Sequence, residues 1–344
     1  MLHGRKGKKI LVIRFSSIGD IVLASPVFRC LKQQLPNVEI HFLTKRSMKA
    51  VTEANPYIDQ FHYLDKSLQD LIPKLMSQQF DYIIDLHKNF RSWMVQYQLK
   101  VPVYAFQKLS WQKWLLTKTG INRMPANHIT LRSLAAVAPL GVVNDEKGLD
   151  YFIPEGKGIS LEDLPVSHRF GYIAIVIGAS YATKKLPVQK LQELCKLIDY
   201  PIVLVGGKDD QQEGEAIALT DAIKIYNACG KFSLHESADI VRQSKLVISH
   251  DTGLQYIACA FNKKVLAIWG GTSPKLAVEP YYGADQLLQH PNGIAYHNFL
   301  VPDLSCQPCS NYGTKKCPRG HFKCMLLQDT HRIAGMAMQW VQSL

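Results

Sequence analysis

The chain has no run approaching 18 uninterrupted apolar residues, which excludes a bilayer-spanning helix at the level of sequence. Nor does its opening read as an export signal. The opening Met1-Leu-His-Gly-Arg-Lys-Gly-Lys-Lys is basic, but the apolar run behind it extends only from Ile10 to Ile13 before Arg14 interrupts it. Cytoplasmic residence is the resulting expectation, with peripheral contact at a membrane left open to basic and aromatic side chains. There are no short-period repeats and no low-complexity tracts, so a solenoid or a disordered chain is excluded. Acidic residues are the scarcer charge: 28 Asp and Glu against 40 Lys and Arg leave a formal +12. That balance favours an anionic partner, whether a nucleotide, an acidic lipid surface or a nucleic acid.

At 344 residues, 47% hydrophobic and 20% charged, the chain is long enough for two cores. Its eight cysteines fall into two kinds. Cys30, Cys195, Cys229 and Cys259 are scattered through apolar segments and read as small core residues. Cys306, Cys309, Cys317 and Cys324 are crowded together and form a candidate structural zinc site, although their spacing is that of no standard ribbon or finger.

Short β-rich runs at 9–15, 38–43, 60–64, 82–86 and 101–106 alternate with helical patterns at 21–35, 67–79 and 129–140. Residues 141–169 lose this periodicity and collect Gly and Pro, which marks a connection. A second series follows, with strands at 172–177, 202–205, 224–226, 246–249 and 265–268. The expected fold is α/β with two Rossmann-like βαβ domains. Residues 1–155 would form one domain and 156–328 the other, facing across a central cleft. The helix at 329–344 is left without a domain. Ligands of such sheets bind beyond the carboxyl ends of the strands.

Several motifs occupy those ends. The first strand runs into Ser16-Ser17-Ile18-Gly19-Asp20, where Asp20 stands at a helix start as a candidate base, or simply as a cap. This loop lacks both the Gly-x-Gly-x-x-Gly dinucleotide fingerprint and the Gly-Lys-Ser/Thr ending of a P-loop, which argues against a dehydrogenase or an NTPase. Lys88 and Arg91 follow another strand and are candidates for an acidic acceptor, as Ser17 and Gly19 are for the acceptor generally. In the second half, the loop carrying Ser180, Thr183 and Lys184 and the turn Asp251-Thr252-Gly253 before a helix suit a diphosphate, or a plain cap and turn.

Arg14-Phe-Ser-Ser-Ile-Gly-Asp-Ile-Val-Leu-Ala-Ser-Pro26, Ser249-His-Asp-Thr-Gly-Leu-Gln-Tyr-Ile-Ala258 and Trp269-Gly-Gly-Thr-Ser-Pro274 together resemble glycosyltransferase family 9, the lipopolysaccharide heptosyltransferases. The resemblance spans nearly the whole chain. It implies a GT-B fold with residues 1–155 as the acceptor-binding domain and 156–328 as the nucleotide-sugar-binding domain, an ADP-heptose donor, inversion at the anomeric carbon and no cofactor required for catalysis. Asp20 matches the family's proposed base, Lys184 its phosphate-binding lysine and Ser180 a hydroxyl near the phosphates. Asp251, Thr252 and Gly253 match the donor loop, and Gly270 with Thr272 forms a turn beside it. Where the family usually carries His, Tyr256 stands here. The implied partners are a nucleotide-sugar donor, an acidic lipid-linked saccharide acceptor and a transient membrane surface, with nucleic acid unfavoured. Transfer of another nucleotide sugar, or noncatalytic binding of a nucleotide sugar or nucleic acid, are the alternatives.

Overall fold

The structure is a computed structural model and describes residues 7–290 and 293–342; most of the basic opening stretch lies outside the described residues. The chain divides into two compact units, one comprising residues through Lys108 with Asn127–Phe152, the other Leu109–Ala126 with Ile153 onward. The sequence division would leave 109–126 in the first unit, whereas the helix Ser110–Thr119 in that stretch groups with the second.

The first unit is built on β1 (Lys9–Ile13), β2 (Glu39–Lys45), β3 (Gln60–Leu64), β4 (Tyr82–Asp85) and β5 (Val103–Ala105), in the order β3-β2-β1-β4-β5. Every pairing is parallel. Parallel strands covered on both faces must be apolar throughout, and Ile10 to Ile13 are fully buried. The order reverses between β1 and β4, so the loops after these two strands open side by side at a switch point.

The expected helix at 21–35 is two helices, Ile18–Leu23 and Ser25–Gln34. Ala24 separates them, and Pro26, which has no N–H to donate, stands in the first turn of the second. Arg29 on that second helix is buried against Asp145, at 2.7 and 2.9 Å, and also pairs with Asp150, tying the helix to the end of the unit.

The second unit carries β6 (Ile173–Val176), β7 (Ile202–Val205), β8 (Ile225–Asn227), β9 (Leu246–His250), β10 (Val265–Ile268) and β11 (Tyr296–Phe299), in the order β11-β10-β9-β6-β7-β8. All pairings are again parallel, and the switch point lies between β6 and β9. The helix Thr330–Gln342, unassigned by sequence, belongs here. Its Ile333, Ala334 and Ala337 join Leu191 and Leu194 in one apolar core, and the Thr330 hydroxyl donates to Glu193 at 2.5 Å. Among the described residues no helix is long and apolar enough to cross a membrane.

Candidate active site

At the β1–β4 switch point the helix Ile18–Leu23 begins two residues earlier than Asp20. Ser17 is its N-cap and Asp20 lies within its first turn, closing a capping box. Asp20 Oδ2 accepts from the Ser17 N–H at 3.1 Å and the Ser17 hydroxyl at 2.8 Å. Its Oδ1 faces Arg14 Nη2 at 2.6 Å, with the carboxylate 24% exposed. Burial works to raise the Asp20 pKa, but the Arg14 charge and the Ser17 hydrogen bonds outweigh it and hold the group below the usual carboxylate value. Arg14 is fixed in turn, donating from Nε to the Ser16 carbonyl at 2.9 Å and from Nη1 to the Leu86 carbonyl just beyond β4. One guanidinium thus ties the two switch-point loops together and neutralises Asp20. Sequence reasoning passed over Arg14; its signal was a lone charge closing an apolar strand.

The loop after β4 is shaped by buried Asp85. One oxygen accepts the N–H groups of His87 and Lys88 at 2.9 and 2.8 Å, the other the Ser92 hydroxyl at 2.7 Å and the Gln96 amide at 2.6 Å. Lys88 is exposed. Arg91 lines a cavity of about 690 Å³ with Lys45, Arg46, Lys66 and Lys74, beyond the ends of β2 and β3. Asp20, Ser17, Gly19 and Lys88 do not line that cavity. His87 packs edge-on against Phe15, and burial, then the Arg14 charge, push its pKa down to about 4, leaving it neutral.

The β6–β9 switch point is organised around Asp251, whose side chain is 9% exposed. Lys184 from the β6 loop places Nζ 2.7 Å from Asp251 Oδ2, and Thr272 from the β10 loop donates its hydroxyl to the same oxygen at 2.9 Å. The Tyr256 hydroxyl lies 3.0 Å from Asp251 Oδ1 and 2.7 Å from the Val278 carbonyl, its single proton serving one acceptor at a time. Two loops distant in sequence and the helix that follows Asp251 thus converge on one carboxylate. Tyr256 is buried, so it positions Asp251 from behind. Lys185, next to Lys184, is directed elsewhere, to Asp210 at 2.8 Å and Glu213 at 2.5 Å.

Thr252 caps the helix Gly253–Ala260, and its buried hydroxyl has no partner among the described residues. Free N–H groups at that helix start suit an anion. His250, at the end of β9, accepts the Leu186 N–H at 3.0 Å and so pins the loop that carries Lys184; burial, followed by the Lys185 charge, lowers its pKa to about 3. Ser180 is exposed on this loop. Thr183, expected to meet the donor, is buried instead, accepting the Thr314 N–H at 2.7 Å. Gly270 is required by close approach: a Cβ there would stand 2.3 Å from the Thr183 carbonyl.

The expected zinc site is not assembled: among the described residues no group of three or more His, Cys, Asp or Glu is set to hold a metal, and all four thiols are free. The four thiols are nonetheless neighbours: after burial, Cys306 and Cys317 raise the Cys309 pKa, and Cys309, Cys317 and Cys306 raise that of Cys324. Cys306 Sγ lies 3.7 Å from His321 Nε2, Cys309 lies 3.6 Å from the Gly271 carbonyl, and Cys324 enters the apolar core. The segment braces the donor-side turn instead. Gln307 Nε2 is within 3.2 Å of the carbonyls of Trp269, Gly270 and Thr272, and the Cys309 N–H donates to Gly271 at 3.0 Å. Sequence reasoning, drawn to the cysteines, missed Gln307.

Two all-parallel sheets, each with an aspartate and a basic partner at its switch point, define a protein of the GT-B class. The family model described as glycosyltransferase family 9 (heptosyltransferase) matches residues 68–315, and the chain belongs to that family. Lipopolysaccharide heptosyltransferase 1 of Campylobacter coli is 26% identical over 288 residues, covering 77% of this chain and 84% of the relative. A family 9 glycosyltransferase from Veillonella parvula superposes with a TM-score of 0.75 at 18% identity, covering 98% of each chain. E. coli heptosyltransferase WaaC with ADP-2-deoxy-2-fluoro heptose gives a TM-score of 0.64 at 18% identity, covering 86% of this chain and 93% of that one.

Proposed function

We propose that this chain transfers heptose from ADP-heptose to an acidic, lipid-linked saccharide of the lipopolysaccharide inner core, at the inner face of the cytoplasmic membrane. The observation that carries this reading is the convergence of Lys184, Thr272 and Tyr256 on Asp251 at a helix start in a family 9 chain. Relatives that carry the heptosyltransferase name, and a heptose-nucleotide analogue bound to a protein of the same fold, support the choice of donor.

The chemistry is a direct displacement with inversion. The acceptor hydroxyl attacks the anomeric carbon, the bond to ADP breaks on the opposite face, and Asp20 takes the hydroxyl proton. A carboxylate held ionised by Arg14 is a weak base at rest, which suits transfer late in the reaction, when the attacking hydroxyl has become acidic. Lys184 and the N–H groups at Thr252 and Gly253 would carry the charge of the departing diphosphate, a role that needs no divalent ion. Ser180 stands on the same loop to meet a phosphate oxygen. Lys88 and Arg91 would serve the acidic acceptor.

The test is thermal stabilisation of the purified chain by a panel of nucleotide sugars, because a ligand of the folded state raises the melting temperature with its occupancy. ADP-heptose should give the largest shift. A larger shift from a UDP- or GDP-sugar would overturn the donor assignment.

A further inference from the structure

One helix of the first unit has a face that the proposed chemistry does not use. On Phe90–Leu99, residues Phe90, Trp93 and Tyr97 follow one another at helical spacing on one side and are 71%, 53% and 62% exposed. Trp93 stacks on both neighbours, with ring centroids 5.7 Å from Phe90 and 5.6 Å from Tyr97. Three large aromatics bared in contact with one another form an apolar patch of the kind that marks an interaction surface. The rings stack on each other along the helix, so Trp93 presents no open face of the sort a sugar platform needs.

The charge of this stretch of sequence is of one sign, although Asp65 and Asp70 line a cavity together with Arg91. No Asp or Glu occurs between Asp85 and Asp145, while that stretch holds eight Lys or Arg and three of the chain's five Trp. Lys88, Arg91 and Lys100 flank the aromatic face and are exposed. The helix Ser110–Thr119 of the second unit repeats the composition, with Trp111 and Trp114 exposed by 62% and 53% and no acidic residue. Aromatic rings with basic neighbours match the boundary between headgroups and acyl chains of an anionic bilayer, where Trp and Tyr settle and Lys and Arg meet phosphate.

We propose that the Phe90–Trp93–Tyr97 face docks this chain on an anionic lipid surface. The inference rests on the reading that the acceptor is lipid-linked, and it specifies which face meets the lipid.

The experiment is co-sedimentation of the full chain with phosphatidylglycerol–phosphatidylcholine vesicles and with pure phosphatidylcholine vesicles. It is paired with transfer to a water-soluble, delipidated acceptor and with the mass in solution. Wild type should bind the anionic vesicles at least tenfold more tightly than the neutral ones, and more weakly as salt rises. Trp93→Ala/Tyr97→Ala should lose at least tenfold in vesicle affinity while keeping its melting temperature and its rate on the soluble acceptor. Lys100→Glu should lose affinity for the anionic vesicles alone. Vesicle binding unchanged in the double variant overturns the proposal, as does a change in its mass in solution with no loss of vesicle affinity, since that makes the face a contact between copies. Vesicle binding that behaves as expected in a chain that transfers no sugar to any acceptor would sink the proposed function and leave the docking face standing.

Discussion

The two switch points solve one problem differently. Each places an aspartate beside a basic residue beyond the end of a central strand, with a histidine nearby, half-buried His87 or buried His250, whose pKa burial lowers. At the first, Asp20 is 24% exposed, and its partners come from the chain just ahead of it, Arg14 and Ser17. At the second, Asp251 is 9% exposed and is held by Lys184 and Thr272 from two separate loops and by Tyr256 from the helix that directly follows it. A carboxylate with one strong local partner and a path to solvent can still receive a proton. One enclosed by two partners from distant loops and a third from its own helix is suited to fix the positions of the loops around it.

The sharpest break in the comparison is Asp20→Asn, which keeps the shape of the side chain but removes the base and replaces one accepting oxygen by a donating NH2. Transfer should fall by roughly 10²- to 10⁴-fold, the range of a positioned acid–base group, as measured by steady-state rates at saturating donor. Next is Lys184→Ala. Losing a charge-assisted contact worth about 1.5–3 kcal/mol leaves Asp251 buried without its cation, and nucleotide affinity should drop about tenfold or more in calorimetric titration. Gly270→Ala tests the anchor's packing. Its Cβ would meet the Thr183 carbonyl at 2.3 Å, and overpacking of this kind costs about 1–3 kcal/mol, readable in the urea midpoint.

Smaller effects are expected in pH profiles. Arg14→Gln removes the charge that lowers the Asp20 pKa, so the acid limb of the rate profile should move to higher pH. An unmoved limb would separate Arg14 from the base. His87 has an ordinary value of 6.5 in the unfolded chain and about 4 when folded, so between these values the unfolded state binds the extra proton. Its contribution makes stability fall as pH drops from 6.5 towards 4 and level off below. His87→Gln should narrow the difference between urea midpoints at pH 7.5 and pH 5.

Much of this architecture was legible because a parallel sheet buried on both faces requires continuous apolar strands, and Ile10 to Ile13 or Val265 to Ile268 announce themselves as such. The edge strand Tyr296–Phe299 was missed for the converse reason, since its Tyr-His-Asn-Phe does not read as a buried run. The helices Phe90–Leu99 and Ser110–Thr119 also escaped, because their exposed faces are aromatic and erase the polar stripe that makes a helix periodic. Asp20, Lys184 and Asp251 could be singled out by position after strands. Their partners could not: Lys184 and Asp251 are 67 positions apart, and only the β6–β9 pairing brings them together. Tyr256 read as a departure from the family at the donor; it is buried, with its hydroxyl 3.0 Å from Asp251.

The division of labour between the two switch points is tested most directly by ADP affinity measured side by side for Asp20→Asn and Lys184→Ala. Affinity should stay within about twofold of wild type in the first variant and fall about tenfold or more in the second. Equal losses in both, or a loss confined to Asp20→Asn, would contradict the assignment of nucleotide binding to the Asp251 site and of the base to Asp20.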